Sequence, residues 1–175
     1  MRNYYITLIS VFTIIFFAVN IAYAEEPSKE ETFAFMKEKM DKYGGCTSIW
    51  ADNSKCRYTI TKFSLTNEGF IEYSANLICD DGSGGSDAYK IPLEKLDPTT
   101  IEFTTSCGET GDVTIYCFKK NNCVKENEKS FKSGSEYESE YNYVRFYIQT
   151  DEQQHRFAKA LEHLVKLYGG KGEPF

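Results

Sequence analysis

The sequence is poor in the residues on which common catalytic and metal sites depend. It contains two histidines, one tryptophan and no Cys-x-x-Cys pair among 175 residues. His155 and His163 are eight residues apart, which does not match the i, i+4 spacing of two helical metal ligands. The absence of close cysteine pairs argues against a structural zinc site. We therefore expect neither a metal ion nor another cofactor.

The chain also lacks an excess of positive charge. Residues 1–24 hold one of the 20 basic residues and none of the 26 acidic ones, which leaves a net charge of −7 for the remainder. Nucleic-acid binding depends on Lys and Arg that neutralise phosphates, and an anionic membrane surface attracts basic segments. We therefore expect no nucleic-acid partner, and no membrane association once the N-terminal segment is removed.

An apolar N-terminal run predicts export. Arg2 precedes the apolar stretch 6–21, and Ala22-Tyr23-Ala24 has the small residues that signal peptidase favours. The stretch is shorter than the roughly 20 residues of a membrane-spanning helix. We predict that residues 1–24 are a cleaved signal peptide and that residues 25–175 form a single domain. The mature protein is then periplasmic or secreted.

All six cysteines lie beyond the predicted cleavage point. An even number of cysteines in an exported chain predicts disulfides, although sequence alone leaves their connectivity open. Proximity along the predicted strands and turns favours three pairs: Cys46 with Cys56, Cys79 with Cys107, and Cys117 with Cys123.

Alternating apolar and polar residues predict an antiparallel β-structure. Seven segments show this period: RYTITKFSL, FIEYSANLIC, DAYKIPL, IEFTTSC, DVTIYCFKK, CVKEN and YNYVRFYIQ. Residues 46–55 and the polar, low-complexity residues 130–140 are predicted as loops, the second one flexible. Seven strands at this spacing, with a short N-terminal helix and a C-terminal capping helix, predict a small α+β barrel or sandwich.

Both helices have recognisable sequence patterns. Residues 30–42 form a short amphipathic stretch that ends at a Gly-Gly pair. Thr150 and Gln153 have the spacing of a capping box, and Gly169-Gly170 end the second helix. A narrow apolar stripe predicts that this second helix covers the barrel: Phe157, Leu161, Leu164 and Tyr168.

Two stretches, YKIPLEKLDPTTIEF (residues 89–103) and FYIQTDEQQHRFAKALEHLVKLYGG (residues 146–170), resemble segments of small, mostly uncharacterised exported bacterial domains with a pleckstrin-homology-like barrel. The resemblance favours the barrel, so the predicted fold class is α+β: a small antiparallel seven-stranded barrel with a short N-terminal helix and a C-terminal capping helix. The resemblance implies no particular activity. Phosphoinositide-binding members of the wider superfamily carry Lys and Arg around the first hairpin. The corresponding residues 57–79 hold only Arg57 and Lys62, so we expect no phosphoinositide binding.

The glycine-rich stretch DDGSGGSD offers a weak calcium candidate and an imperfect nucleophile motif. Asp81, Ser83 and Asp87 could supply oxygen ligands, but Ser86 and Pro92 occupy the positions where a calcium loop needs Gly and Glu. A nucleophile elbow around Ser83 would need Gly at position 81, where Asp81 stands. A solvated hairpin loop is the favoured interpretation, with no metal bound.

The last predicted strand carries the most specific surface pattern. With Val144, Phe146 and Ile148 facing inward, the opposite face carries a tyrosine–arginine cluster: Tyr141, Tyr143, Arg145 and Tyr147. Tyr and Arg are enriched in interface hot spots, although the same residues also pack across neighbouring strands.

We expect a non-enzymatic binding module whose partner is a protein or a small ligand. The alternatives are a small hydrolase that uses a carboxylate pair, and a secreted enzyme inhibitor.

Overall fold

The computed structural model describes residues 26–49, 54–107 and 110–172, so the predicted signal peptide lies outside the described residues. Within them the chain forms two α-helices and nine strands. The bounds are α1 Lys29–Tyr43, β1 Cys46–Ile49, β2 Lys55–Leu65, β3 Phe70–Cys79, β4 Gly84–Pro92, β5 Glu102–Cys107, β6 Thr110–Tyr116, β7 Val124–Ser130, β8 Glu136–Tyr141, β9 Tyr143–Tyr147 and α2 Asp151–Leu167.

The strands form two antiparallel sheets, and the predicted closed seven-stranded barrel is wrong. The large sheet has the order β1-β2-β3-β4-β7-β8, and the small sheet has the order β5-β6-β9. In the described residues no ladder of hydrogen bonds joins a strand of one sheet to a strand of the other. The α+β class and a strand in each of the predicted segments are confirmed.

Sequence alternation did not reveal β1 and β8. β1 is only four residues long, too short to show a period of two. The segment 130–140, predicted as a flexible loop, contains the end of β7, a turn and most of β8. β8 has few apolar residues because charge helps to pair it with β7: Lys129 Nζ lies 2.8 Å from a carboxylate oxygen of Glu136.

The core lies between the inner faces of the two sheets. In β3 the alternate residues Ile71, Tyr73 and Ala75, which share one face of the strand, are fully buried. The predicted inward residues of the last strand segment are buried as well: Val144, Phe146 and Ile148. The period of two therefore identified the core face of both strands correctly.

The two helices pack against each other, and α2 also packs on β6. α1 begins with a capping box between Ser28 and Glu31. The apolar stripe predicted for α2 is buried at Phe157, Leu161 and Leu164. In the described part of the chain, neither helix has the length and apolarity needed to cross a membrane.

The capping box predicted for α2 is wrong. The Thr150 side chain makes no cap hydrogen bond, and its backbone has a positive φ of 66°. Gln153 is buried and does not reach back to Thr150. Gln154 instead stabilises the start of α2, because its Nε2 donates a hydrogen bond of 3.0 Å to the Ile148 carbonyl.

The six cysteines form three disulfides, which are typical of an oxidising compartment. The predicted bond between Cys117 and Cys123 is confirmed. The other two predicted pairs are wrong, because the bonds join Cys46 to Cys107 and Cys56 to Cys79.

Strand register explains these two bonds. Cys56 and Cys79 are directly opposite each other in the β2–β3 ladder. Cys46 lies in the unpredicted β1 opposite Tyr58, which leaves it free to bridge to Cys107 of the small sheet.

We expect the Cys46–Cys107 bond to stabilise the protein most, because it links the two sheets and spans 61 residues, against 6 for Cys117–Cys123. Loop-closure entropy predicts a loss of about 4 kcal/mol for Cys46→Ala/Cys107→Ala and about 2 kcal/mol for Cys117→Ala/Cys123→Ala. Urea unfolding of the two double variants measures both losses. Equal losses would contradict the assignment of the inter-sheet bond as the main covalent constraint.

Candidate functional site: a tyrosine-lined groove between the sheets

A groove with a volume of about 360 Å³ opens between the large sheet and β9, and the whole tyrosine–arginine cluster lines it. Tyr141 ends β8 of the large sheet, whereas Tyr143, Arg145 and Tyr147 lie on β9 of the small sheet. The large sheet also contributes residues of β2, β3, β4 and β7. Those residues are Tyr58, Leu77, Asp87, Tyr89 and Glu126. The Cys46–Cys107 disulfide joins the two walls at the groove's edge.

A change of polarity along the inner face of the large sheet produces the groove. On β4, Ile91 is fully buried in the core, whereas Tyr89 and Asp87, two and four residues earlier on the same face, line the groove. On β7, Val124 is in the core and Glu126 lines the groove. Since side chains two residues apart share a face, the polar residues lie on the same strand faces as the core residues, and the groove adjoins the core.

Two carboxyl groups occupy the large-sheet wall. Burial and the nearby carboxylates Glu126 and Glu128 raise the pKa of Asp87 to about 6. Glu126 is itself only 7% exposed. A hydrogen bond to Glu126 raises the pKa of the Tyr141 hydroxyl, and burial together with Glu126 raises the pKa of Tyr89. Glu126 therefore accepts hydrogen bonds from phenols, while Asp87 is surrounded by groups that disfavour its charge.

Tyrosine rings pack against one another in and beside the groove. The rings of Tyr58 and Tyr147 meet edge to face at 5.0 Å, and Tyr73 stacks on Tyr89 at 5.4 Å. The hydroxyl group next to the buried Tyr73 hydroxyl is that of Tyr58, and the two interact by hydrogen bonding. Burial raises the pKa of Tyr73 well above the usual value, and Tyr58, Tyr147 and Asp87 add to this effect. Tyr73 therefore lies next to the lining residues Tyr58, Asp87 and Tyr147 but does not itself line the groove.

The positive charge on the β9 wall is compensated within the small sheet. Arg145 Nε lies 3.6 Å from Asp112 Oδ1, and its guanidinium is 5.5 Å from the centre of the Tyr143 ring. Asp112 is completely buried and also accepts hydrogen bonds from Thr104 at 2.8 Å and Thr114 at 3.0 Å. Arg145 thus neutralises a buried acid of its own sheet, and the charges of Asp87 and Glu126 remain without a basic partner among the lining residues.

The calcium candidates are not gathered in one loop. Asp81 accepts hydrogen bonds from the Ser83 amide at 2.9 Å and the Ser83 hydroxyl at 2.6 Å within the β3–β4 turn. Asp87 instead lies on β4, opposite Ala75, and lines the groove. In the described ranges, no group of three or more His, Cys, Asp or Glu side chains is placed to hold a metal ion.

The two histidines lie outside the groove, on α2. The His155 ring packs 4.4 Å from the Phe103 ring, and His163 Nε2 is 2.9 Å from the Pro27 carbonyl oxygen. Both contacts are structural, in agreement with the interpretation of α2 as a covering helix.

The sequence pattern identified the four residues of the tyrosine–arginine cluster but not the lining residues of β2, β4 and β7. The missed residues are Tyr58, Tyr89 and Glu126, and Asp87 was considered only as a calcium ligand. A usable signal was present, because Asp87 and Glu126 are acids at positions that share a face with the buried residues Ile91 and Val124. An acid on the inward face of an amphipathic strand indicates either a buried polar contact or a site.

Comparisons with protein-family models, with curated proteins and with solved structures found no match. The functional interpretation therefore depends on the chemistry and geometry of the groove itself.

We expect Asp87→Asn to stabilise the protein at neutral pH. Because the folded state raises the pKa of Asp87 to about 6, ionisation of Asp87 lowers the free energy of unfolding as the pH rises from about 4 to about 6. The variant should gain about 1 kcal/mol at pH 7, a value reduced for the water that screens this partly exposed carboxyl. The gain should disappear near pH 4.

Urea unfolding of the wild type and the variant across this pH range measures the effect. Glu138→Gln is the matched control, because Glu138 is exposed on the neighbouring strand β8 and lies outside the groove. A variant less stable than the wild type at pH 7 would show that Asp87 has a stabilising partner.

Proposed function

We propose that this chain is an exported, non-enzymatic binding module and that the groove between its sheets is the binding site. The observation that carries the proposal is the convergence of Tyr141, Tyr143, Arg145 and Tyr147 on one groove between the two sheets. All of them are partly exposed, so their side chains can contact a ligand. Export of residues 25–175 after cleavage of residues 1–24 is part of the proposal, and the three disulfides support it.

The groove has the properties of a preformed site. Its rings are carried by strands rather than by loops, and a disulfide holds its two walls together. Tyrosine has few rotatable bonds and presents both an apolar face and a hydroxyl, so it binds at a low cost in conformational entropy. A rigid scaffold further reduces the entropy that is lost on association.

The pleckstrin-homology-like resemblance also remains part of the proposal. A series of antiparallel strands in two packed sheets, followed by one amphipathic C-terminal helix, supports it. The division into a six-stranded and a three-stranded sheet departs from the seven-stranded barrel of that family. In such a fold, function follows from the residues of the site and not from the architecture.

A carboxylate-pair hydrolase is the second candidate, and one observation favours it. Asp87 has a raised pKa and lies near Glu126, and hydrolases that use two carboxyl groups need one of them protonated near neutral pH. We expect no turnover of chromogenic glycosides or esters between pH 5 and pH 7. Turnover that is abolished in both Asp87→Asn and Glu126→Gln would replace the binding-module proposal with this one.

The proposal predicts that the tyrosine–arginine cluster is required for ligand capture. The immobilised exported protein is exposed to native envelope extract and to culture fluid, and bound material is compared with that held by the folded double variant Tyr143→Ala/Tyr147→Ala. Truncating two central aromatic contacts should weaken retention at least about tenfold.

Tyr137→Ala is the matched control, because Tyr137 is 60% exposed on β8 outside the groove. Retention that is unchanged in the double variant but lost in the control would place the binding site on the other face of the large sheet.

A further inference from the structure

We infer that the groove binds an organic cation, an ammonium group carried on an apolar body, with Asp87 and Glu126 as its counter-ions and tyrosine rings as its walls. This inference depends on the proposed function, because it specifies the chemical class of the ligand that the groove takes. Two kinds of ligand carry such an ammonium group: a free amine or quaternary ammonium compound, and the side chain of a lysine.

The charge of the groove is the first argument. Asp87 and Glu126 face the cavity from adjacent strands, and the ionised form of Asp87 is disfavoured by both burial and its acidic neighbours. Arg145 does not offset them, because it lies 3.6 Å from the buried carboxylate of Asp112. A cation placed between the two walls would relieve the repulsion between the acids, whereas an anion would increase it.

The aromatic lining is the second argument. The faces of aromatic rings attract cations, and this attraction is strongest where water is excluded. Five tyrosine rings from both sheets line the cavity: Tyr58, Tyr89, Tyr141, Tyr143 and Tyr147. Such rings bind the apolar surface around an ammonium group, while carboxylates supply the counter-charge.

Volume limits the size of the ligand. A groove of about 360 Å³ is at the lower end of the range for small-molecule sites. It accommodates a trimethylammonium group with a short chain, or one lysine side chain. A larger cation would have to leave most of its body outside the groove.

The test is a titration of the ¹⁵N-labelled exported protein, followed by two-dimensional NMR, with four probes of similar size. Choline represents a free quaternary ammonium compound, and Nα-acetyl-lysine methylamide represents a lysine side chain. The neutral 3,3-dimethyl-1-butanol has the shape of choline without its charge, and butyrate carries the opposite charge. We expect a cationic probe to shift amides of β4, β7 and β9 and to bind at least about tenfold more tightly than the neutral probe. The tighter of the two cationic probes identifies the source.

Variants assign the binding to the acids. Asp87→Asn and Glu126→Gln should each weaken the cationic probe about tenfold and leave the neutral probe unchanged. Glu138→Gln removes the same charge from an exposed position outside the groove and should have little effect. Because Asp87→Asn is expected to be more stable than the wild type, unfolding would not explain a loss of binding in that variant.

The pH dependence gives a further readout. Affinity for the cationic probe should fall as the pH drops from 7 to 5, because protonation removes the charge of Asp87 near pH 6. The ionisable groups that face Asp87 from the surrounding strands are Tyr58 of β2, Tyr73 of β3, Tyr89 of β4, Glu126 and Glu128 of β7, and Arg145 and Tyr147 of β9.

Equal affinity for the neutral probe, or a preference for butyrate, overturns the inference while the groove remains a binding site. Cationic binding that Asp87→Asn and Glu126→Gln do not weaken also overturns it. If no probe shifts groove resonances at millimolar concentration, the inference is wrong, and the capture experiment with Tyr143→Ala/Tyr147→Ala decides the proposed function separately.

Discussion

The aromatic contacts of Phe63 hold the two sheets and the two helices in one core. From β2, its ring lies 5.3 Å from Phe33 of α1, 6.1 Å from Phe146 of β9 and 6.4 Å from Phe157 of α2. Because close-packed rings tolerate little displacement, these contacts fix how the large sheet lies against the small one. The helices cover the apolar part of the large sheet near Phe63. The polar part beyond Tyr73 faces β9 without cover, and this region is the groove.

The groove contains two acids on the core face of the large sheet, where apolar residues would stabilise the fold more. Asp87 and Glu126 extend the inner face of the large sheet with acids at positions where the core pattern would favour apolar residues. On the other wall, Asp112 keeps Arg145 within the small sheet. The arrangement separates the positive charge from the two acids and leaves them available to a ligand. Natural proteins depart from optimal core patterns mainly at functional sites, which supports the proposal that this groove is a binding site.

Most of the fold follows from local patterns, and most of what was missed depends on contacts between distant residues. The period of two identified the predicted strand segments and their core faces, and the period of 3.6 identified the covering helix. The sequence did not predict β1, because four residues cannot show a period. It did not predict β8, because ion pairs replace apolar contacts there. The inter-sheet disulfide and the acidic wall require knowledge of strand order and register, which one sequence does not contain. The tyrosine–arginine cluster was identifiable because its four residues are close together in the sequence, although Tyr141 ends β8 and the other three lie on β9.

The pKa of Asp87, measured by carboxyl ¹³C NMR with and without saturating choline, tests the central claim most directly. We expect a pKa near 6 in the free protein and a lower pKa in the presence of choline, because a bound cation favours the ionised carboxylate. A choline-independent pKa would contradict the claim that Asp87 is the counter-ion of a cationic ligand.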